Sequence, residues 1–210
     1  VGVRNALRRL LAASGIAPEA IEGVFVGTTA AVNAVLEEKE LLRVGLLRLA
    51  GQKPALRAGC HFPPSLRQKV LSSVQTIGGG HECFGQEISP LDRHEARRAI
   101  EALLDEGAEG IAIVGVFAPL YSEHEHAIAR IARDVAGKDF PLSCSGDIGG
   151  LGFMERENAT ILNVALKKVI AKGFAELREA VEKLGIVSKS SWFAMMAARW
   201  IFKRRSDFQS

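Results

Sequence analysis

The sequence predicts a layered α/β domain. Gly23–Gly27 is a continuous apolar run of strand length, Val44–Leu49 and Ile111–Phe117 also read as strands, and helical segments alternate with them. At 210 residues, with 48% hydrophobic and 24% charged residues, the chain can bury the core of one domain, or of one and a half.

Each element follows from local pattern. Asn5 to Ala13 sets Leu7, Leu10 and Leu11 on one helical face and Arg8 and Arg9 on another, with Ser14-Gly15 as its end. Pro18-Glu19-Ala20 opens a helical turn. Thr28-Thr29 caps a helix running to about Glu38, and Val44–Leu49 is the next strand. Gly51 to Ser65 reads as a long loop. Val70 to Ile77 then reads as a strand, which Gly78-Gly79-Gly80 turns into a β-hairpin with Glu82 to Ile88. Asp92 caps a helix to Leu104, and Glu123 to Val135 is another. Leu142 to Cys144 is a short strand ahead of the glycine-rich stretch from Gly146 to Gly152. Glu155 to Leu184 is helical throughout, with a break expected near Gly173.

Composition narrows the function classes. Lys189, Arg199, Lys203, Arg204 and Arg205 against Asp207 place +4 beyond Gly185, which leaves −1 of the +3 total for everything before it. The body therefore lacks the basic stripe that nucleic acid demands. No apolar run approaches the roughly 18 residues of a membrane span. Cys60, Cys83 and Cys144 are odd in number and far apart, which fits a reducing cytoplasm and no disulfide framework.

Several motifs could carry chemistry. Gly27-Thr28-Thr29, at a strand end opening a helix, can offer N–H groups and hydroxyls to an anion or carbonyl, or can be a plain N-cap. Asn33 lies one turn further on. Asp147-Ile148-Gly149-Gly150 has the letters of a phosphate loop, but it leads into a helix and reads as a flexible connection. His81-Glu82-Cys83 and His124-Glu125-His126 contain metal-ligating types without the two-pair spacing of a zinc site, so no metal is assigned to them. Cys60-His61 is a poor nucleophile–base pair, because adjacent residues rarely face one another. Glu155-Arg156-Glu157-Asn158 reads as a charged first helical turn that suits the helix dipole, with Arg156 also able to reach a substrate.

The order of these signals is more specific than any one of them. Val26-Gly27-Thr28-Thr29 with Asn33-Ala34, then Gly79-Gly80-His81-Glu82 followed by Glu87-Ile88-Ser89-Pro90-Leu91-Asp92, resembles the N-terminal region of the hydantoinase A/5-oxoprolinase family. So does Ala112 to Phe117 leading to Tyr121-Ser122 and His124-Glu125, where Ser122-Glu123 replaces an Asn-Pro. Glu155-Arg156, Ala159-Thr160 and Leu162-Asn163 match that family's Glu-Arg…Thr…Leu-Asn helix. The similarity covers about residues 1 to 185.

The resemblance implies an actin/hexokinase-like (ribonuclease H-like) layered domain with a mixed sheet and flanking helices. It also implies ATP, with a divalent cation (Mg), used to phosphorylate the carbonyl oxygen of a cyclic amide such as a hydantoin or 5-oxoproline before ring opening. A second, hydantoinase B-type subunit and an oligomer are implied for the complete enzyme, with no nucleic acid or membrane partner. The cleft candidates are Gly27, Thr28, Thr29, Asn33, His81, Glu82, Arg156 and Asn163. A family member begins with a strand and an Asp-x-Gly-Gly-Thr phosphate loop, both expected upstream of Val1. The 210 residues are thus expected neither to hold ATP tightly nor to turn it over. An ATP-dependent carboxylase of the same family and a non-catalytic binding or scaffold protein are the alternatives.

Residues 186–210 read as an aberrant hydrophobic-basic tail. Met and Trp have one codon each. Reading from the third base of the Ala194 codon, Met195, Met196 and Trp200 therefore allow Asn-Asp-Gly-Gly-Thr-Leu-Asp, a family-like continuation. The expectation is a shifted frame. The alternative is a genuine appendage that docks on a membrane or partner.

Overall fold

A computed structural model describes residues 2–21, 29–50 and 56–186. They divide into two compact units, one of residues up to Asn33 and from Val169 on, the other Ala34–Lys168. The strand expected at Gly23–Gly27 and the tail beyond Ile186 lie outside the described residues.

In the first unit, α1 (Gly2–Ser14) and the end of α7 (Lys167–Glu182) supply a small core. Leu177, Val181 and Ile186 are buried there, with Leu7, Leu11, Ile21 and Leu184 packed against them. Leu7/Leu11 and Leu177/Val181 are each four apart and so share a helix face. Gly185, at φ +71°, takes the left-handed position that closes α7, and the Ile186 N–H returns to the Val181 carbonyl.

The larger unit contains α2 (Ala30–Glu37, which begins in the first unit), β1 (Val44–Leu49), α3 (Pro64–Val70), β2 (Leu71–Ile77) and α4 (Arg93–Asp105). β3 (Gly110–Gly115), α5 (Glu123–Ala136), β4 (Leu142–Cys144) and α6 (Phe153–Ala165) follow. Among the described residues four parallel strands form one sheet in the order β2-β1-β3-β4. β1 and β3 are buried at every residue, as central strands covered on both faces must be. Leu47, Leu49, Ile111 and Ile113 meet α4 and α5 on one face, through Ile100, Leu103, Ile128 and Ala132. Val44, Leu46, Ala112 and Val114 meet α3 and α6 on the other, through Leu66, Val70, Ile161 and Val164.

The layered α/β fold expected from the sequence is the one observed, with three local differences. The described sheet is purely parallel: the arm expected from Glu82 to Ile88 is a tight turn, joined only by an isolated antiparallel bridge between His81 and Glu87. Within the expected loop from 51 to 65, Pro63-Pro64 starts α3, proline serving as a first-turn residue whose missing N–H costs nothing there. The long C-terminal helix breaks at Leu166 rather than Gly173, which sits inside α7 with open space around it. Asp92 caps α4 as expected, accepting from the amides of His94 and Glu95. The bonds from Glu95 and His94 hold its carboxyl below the usual aspartate range. No described helix is long and apolar enough to cross a membrane.

Close approach fixes one glycine. A Cβ at Gly110 would lie 2.5 Å from Val164 Cγ1 and 2.9 Å from the Pro141 carbonyl oxygen. Gly110→Ala therefore forces α6 away from β3. We expect a loss of about 1–3 kcal/mol in urea unfolding, whereas Gly173→Ala should leave stability equal or higher.

Candidate functional site

The chain leaves β1 towards β2 on one side and leaves β3 towards β4 on the other. The carboxyl ends of β1 and β3 thus flank a topological switch point, where open α/β sheets bind ligands. Phe117, just past β3, sits at φ +50°, an uncommon conformation for a bulky side chain and a mark of imposed backbone strain. Gly80 crosses the end of β1 so closely that a Cβ would lie 2.9 Å from the Leu49 carbonyl oxygen.

Beneath this edge runs a buried ionic lattice. Glu125, in the first turn of α5 and 1% exposed, accepts from Gly115 N (2.7 Å), Ser145 Oγ (2.6 Å) and Gly146 N (2.9 Å). Burial raises its carboxyl above the usual range, and the Ser145, Gly146 and Gly115 donors and Arg156 oppose that rise. Arg156, 2% exposed, donates from Nε to Ser145 Oγ (3.0 Å) and from Nη2 to the Gly115 carbonyl (2.6 Å). Its Nη1 reaches the carbonyls of Gly150 and Leu151 at 2.9 and 3.0 Å. Desolvation lowers its pKa, with Glu125 and Glu157 acting against it. So placed, Arg156 fastens the loop from Ser145 to Gly152 to the end of β3. That loop is a short 3-10 turn leading into α6, the strand-to-helix connection read from its glycines.

A second pair lies on the other face. Arg48, in β1, makes a bidentate bond with Glu157, Nε–Oε2 at 2.6 Å and Nη2–Oε1 at 2.8 Å, with side chains 4% and 3% exposed. Arg48 Nη1 also donates to the Leu56 carbonyl at 2.8 Å, and the Phe153 ring lies within 6 Å of both guanidiniums, at 5.9 Å from Arg48 and 5.7 Å from Arg156. Asn163 is buried in α6 and accepts from Ser143 Oγ at 3.1 Å, tying β4 to that helix.

Above the end of β1 is a cluster of rings. His81 packs at a tilt against both His124, with centroids 4.5 Å apart, and Tyr121, at 5.5 Å. Gly80 N donates to His124 Nδ1 (3.1 Å), so a neutral His124 carries its proton on Nε2, which faces Glu87 Oε1 at 3.3 Å. His81 is 8% exposed, and its Nδ1 is buried without a partner. His81, Glu87 and His124 are compact enough to hold a metal, with ligand atoms within 4.8 Å of one another. The Gly80 amide opposes it: a metal-bound imidazole donates its other N–H, yet His124 Nδ1 faces that donor. The trio is better suited to holding a fixed histidine tautomer beside the strand ends.

The remaining sequence candidates sit elsewhere. Glu82 is exposed in the turn, its N–H bonded to the Gln86 carbonyl. Thr29 and Asn33 belong to the first unit and are both exposed. The Thr29 carbonyl takes the first bond of α2 from Asn33 N (2.8 Å), and Asn33 Nδ2 approaches Thr29 Oγ1 at 3.5 Å. Gly27 and Thr28 lie outside the described residues. Cys60 is exposed, with its sulfur 3.7 Å from Met154 Sδ. Sequence reasoning missed Arg48, Glu125, Ser145 and Glu157 as a group. The one available signal was an arginine inside an otherwise apolar strand.

The family model for the hydantoinase/oxoprolinase N-terminal region matches residues 1–136. The chain belongs to the hydantoinase/oxoprolinase family. It is 25% identical over 208 residues to caprolactamase subunit alpha of Pseudomonas jessenii, covering 92% of this chain and 30% of that protein. Among solved structures it is similar to a nucleotide-free acetone carboxylase, studied for ATP-dependent acetone carboxylation. The TM-score is 0.64 and the identity 22%, covering 83% of this chain and 28% of that one. That likeness establishes the fold. The hydantoinase/oxoprolinase-type region described here thus spans under a third of either relative, 30% and 28% of their lengths.

Proposed function

We propose that this chain is part of an ATP-dependent enzyme that activates a carbonyl group, opening a cyclic amide after phosphorylation of its oxygen. Family membership supports the reading, and the two relatives' names share one chemical feature: a lactam and a ketone each present a carbonyl oxygen. A resonance-stabilised amide is a poor electrophile, and phosphorylating its oxygen creates a leaving group while its charge is held by fixed donors. ATP and a divalent cation, and a second subunit of the hydantoinase B type, belong to this proposal. ATP-dependent carboxylation of a ketone is the second reading, favoured by the acetone carboxylase fold.

The observation that carries the proposal is the rigid polar construction at the carboxyl ends of β1 and β3. In this reading Arg156 holds the loop from Ser145 to Gly152, Asn163 ties β4 to α6, and His81 and Glu82 border the substrate from the turn. Thr29 and Asn33, in the other unit, present an exposed hydroxyl and amide, and with their sequence neighbours Gly27 and Thr28 they enter the proposal through their motif. In a protein of the relatives' full length carrying this region, Thr28→Val or Asn33→Ala should lower kcat/KM by about tenfold or more with an unchanged Tm. Kinetics and thermal melts on the same samples check it. A lowered Tm with unaltered kinetics would reduce these residues to a cap and a surface group.

A further inference from the structure

His126, Cys144 and Asp147 come from three different elements, the first turn of α5, the end of β4 and the 3-10 turn after it. Their ligand atoms all lie within 4.8 Å of one another. We propose that they form a binding site for a zinc-class divalent cation, with three protein ligands and a fourth position open to water or a small ligand.

Three features of the surroundings favour a cation here over the His81–Glu87–His124 trio. First, the hydroxyl behind the imidazole has the right polarity: His126 Nδ1 lies 3.5 Å from Ser122 Oγ, an oxygen able to accept its hydrogen bond. That tautomer leaves the Nε2 lone pair free, and Nε2 is the nitrogen 3.5 Å from Asp147 Oδ2. Second, the site is reachable, because the His126 and Asp147 side chains are 44% and 47% exposed while Cys144 forms its buried floor. Third, the thiol's hydrogen bond is weak, a 3.7 Å approach to the Glu125 carbonyl, so little is lost when a metal replaces it.

Zinc bonds of about 2.0–2.3 Å set tetrahedral ligand edges near 3.5 Å, so the atoms must close by roughly 1 Å. The two half-exposed side chains can supply that movement by rotamer adjustment. One thiolate, one imidazole and one carboxylate select zinc, cobalt or cadmium over magnesium, which demands oxygen ligands. The Cys144 S–H bond breaks as the sulfur–metal bond forms, and the proton leaves to solvent, with no change in oxidation state. No pair spacing announces such a site in the sequence, because the sheet rather than the local chain brings the three together.

Cobalt(II) titration of the metal-free 210-residue protein tests the site. One equivalent should produce tetrahedral ligand-field bands and a thiolate-to-cobalt charge-transfer band, both erased by added zinc. Cys144→Ser should abolish the charge-transfer band, while Cys60→Ser and Cys83→Ser should leave it intact. Should Cys144→Ser fail to fold, His126→Gln and Asp147→Asn decide, since both alter half-exposed side chains. Each should weaken cobalt binding at least tenfold with an unchanged melt of the metal-free protein. Absence of a charge-transfer band would overturn the proposal. So would a band that survives both His126→Gln and Asp147→Asn, or one lost with Cys60→Ser or Cys83→Ser.

Discussion

Arg48→Met should destabilise the Ala34–Lys168 unit by about 3–5 kcal/mol in urea unfolding. The loss does not come from packing, because methionine fills much of the same volume. It comes from leaving the Glu157 carboxyl 2% exposed and stripped of both its guanidinium donors, with Gly59 N at 3.4 Å the one described hydrogen-bond donor still pointing at it. Glu157→Leu should cost a similar amount by stranding Arg48. The double variant Arg48→Met/Glu157→Leu should recover most of the loss, since the two charges are then absent together. Additive losses in the double variant would show that the pair is not coupled as its geometry requires.

Glu125→Ala is expected to cost on the order of 3 kcal/mol or more, each stranded buried donor contributing about 1–3 kcal/mol less any relaxation. The amides of Gly115 and Gly146 and the Ser145 hydroxyl would lose their acceptor together, and Arg156 its nearby opposite charge. Amide exchange at Gly115 and Gly146 should accelerate beyond the global change. Glu125→Gln should be milder, because its carbonyl oxygen still accepts while its NH2 meets a donor. An alanine variant within about 0.5 kcal/mol of the parent would mean that the carboxylate is dispensable to the strand-end loops.

Wherever local pattern decides the outcome, the sequence was readable. β1 has the bounds its apolar run suggests, Asp92 caps the helix it precedes, and α5 starts where acidic residues follow Ser122. Patterns failed where tertiary structure decides. Gly173 looks like a breaker, yet the helix breaks at Leu166, where α6 has finished covering β1 and β3. The hairpin expected after Gly80 shrinks to one bridge, and among the described strands β2 pairs with β1 alone.

The site was legible by type but not by partner. Glu155-Arg156-Glu157 reads as a solvated first turn, and only the fold reveals that Arg156 and Glu157 are buried while Glu155 is exposed. Charged residues at helix starts look alike in sequence, since what separates a surface acid from Glu125 is the set of donors that β3 and the 145–146 turn bring to it. The His81 motif is legible in the sequence, and its unpartnered Nδ1 and tilted ring neighbour emerge only from the structure.

The account rests on carbonyl activation by ATP at the switch point of this sheet. The direct measurement is ATP hydrolysis by a protein of the relatives' full length carrying this region, with the second subunit proposed for it, titrated with a cyclic amide and with a ketone. The account predicts phosphate release that rises with the cyclic amide and matches the ring-opened product mole for mole. ATP consumption indifferent to both carbonyl compounds would contradict it.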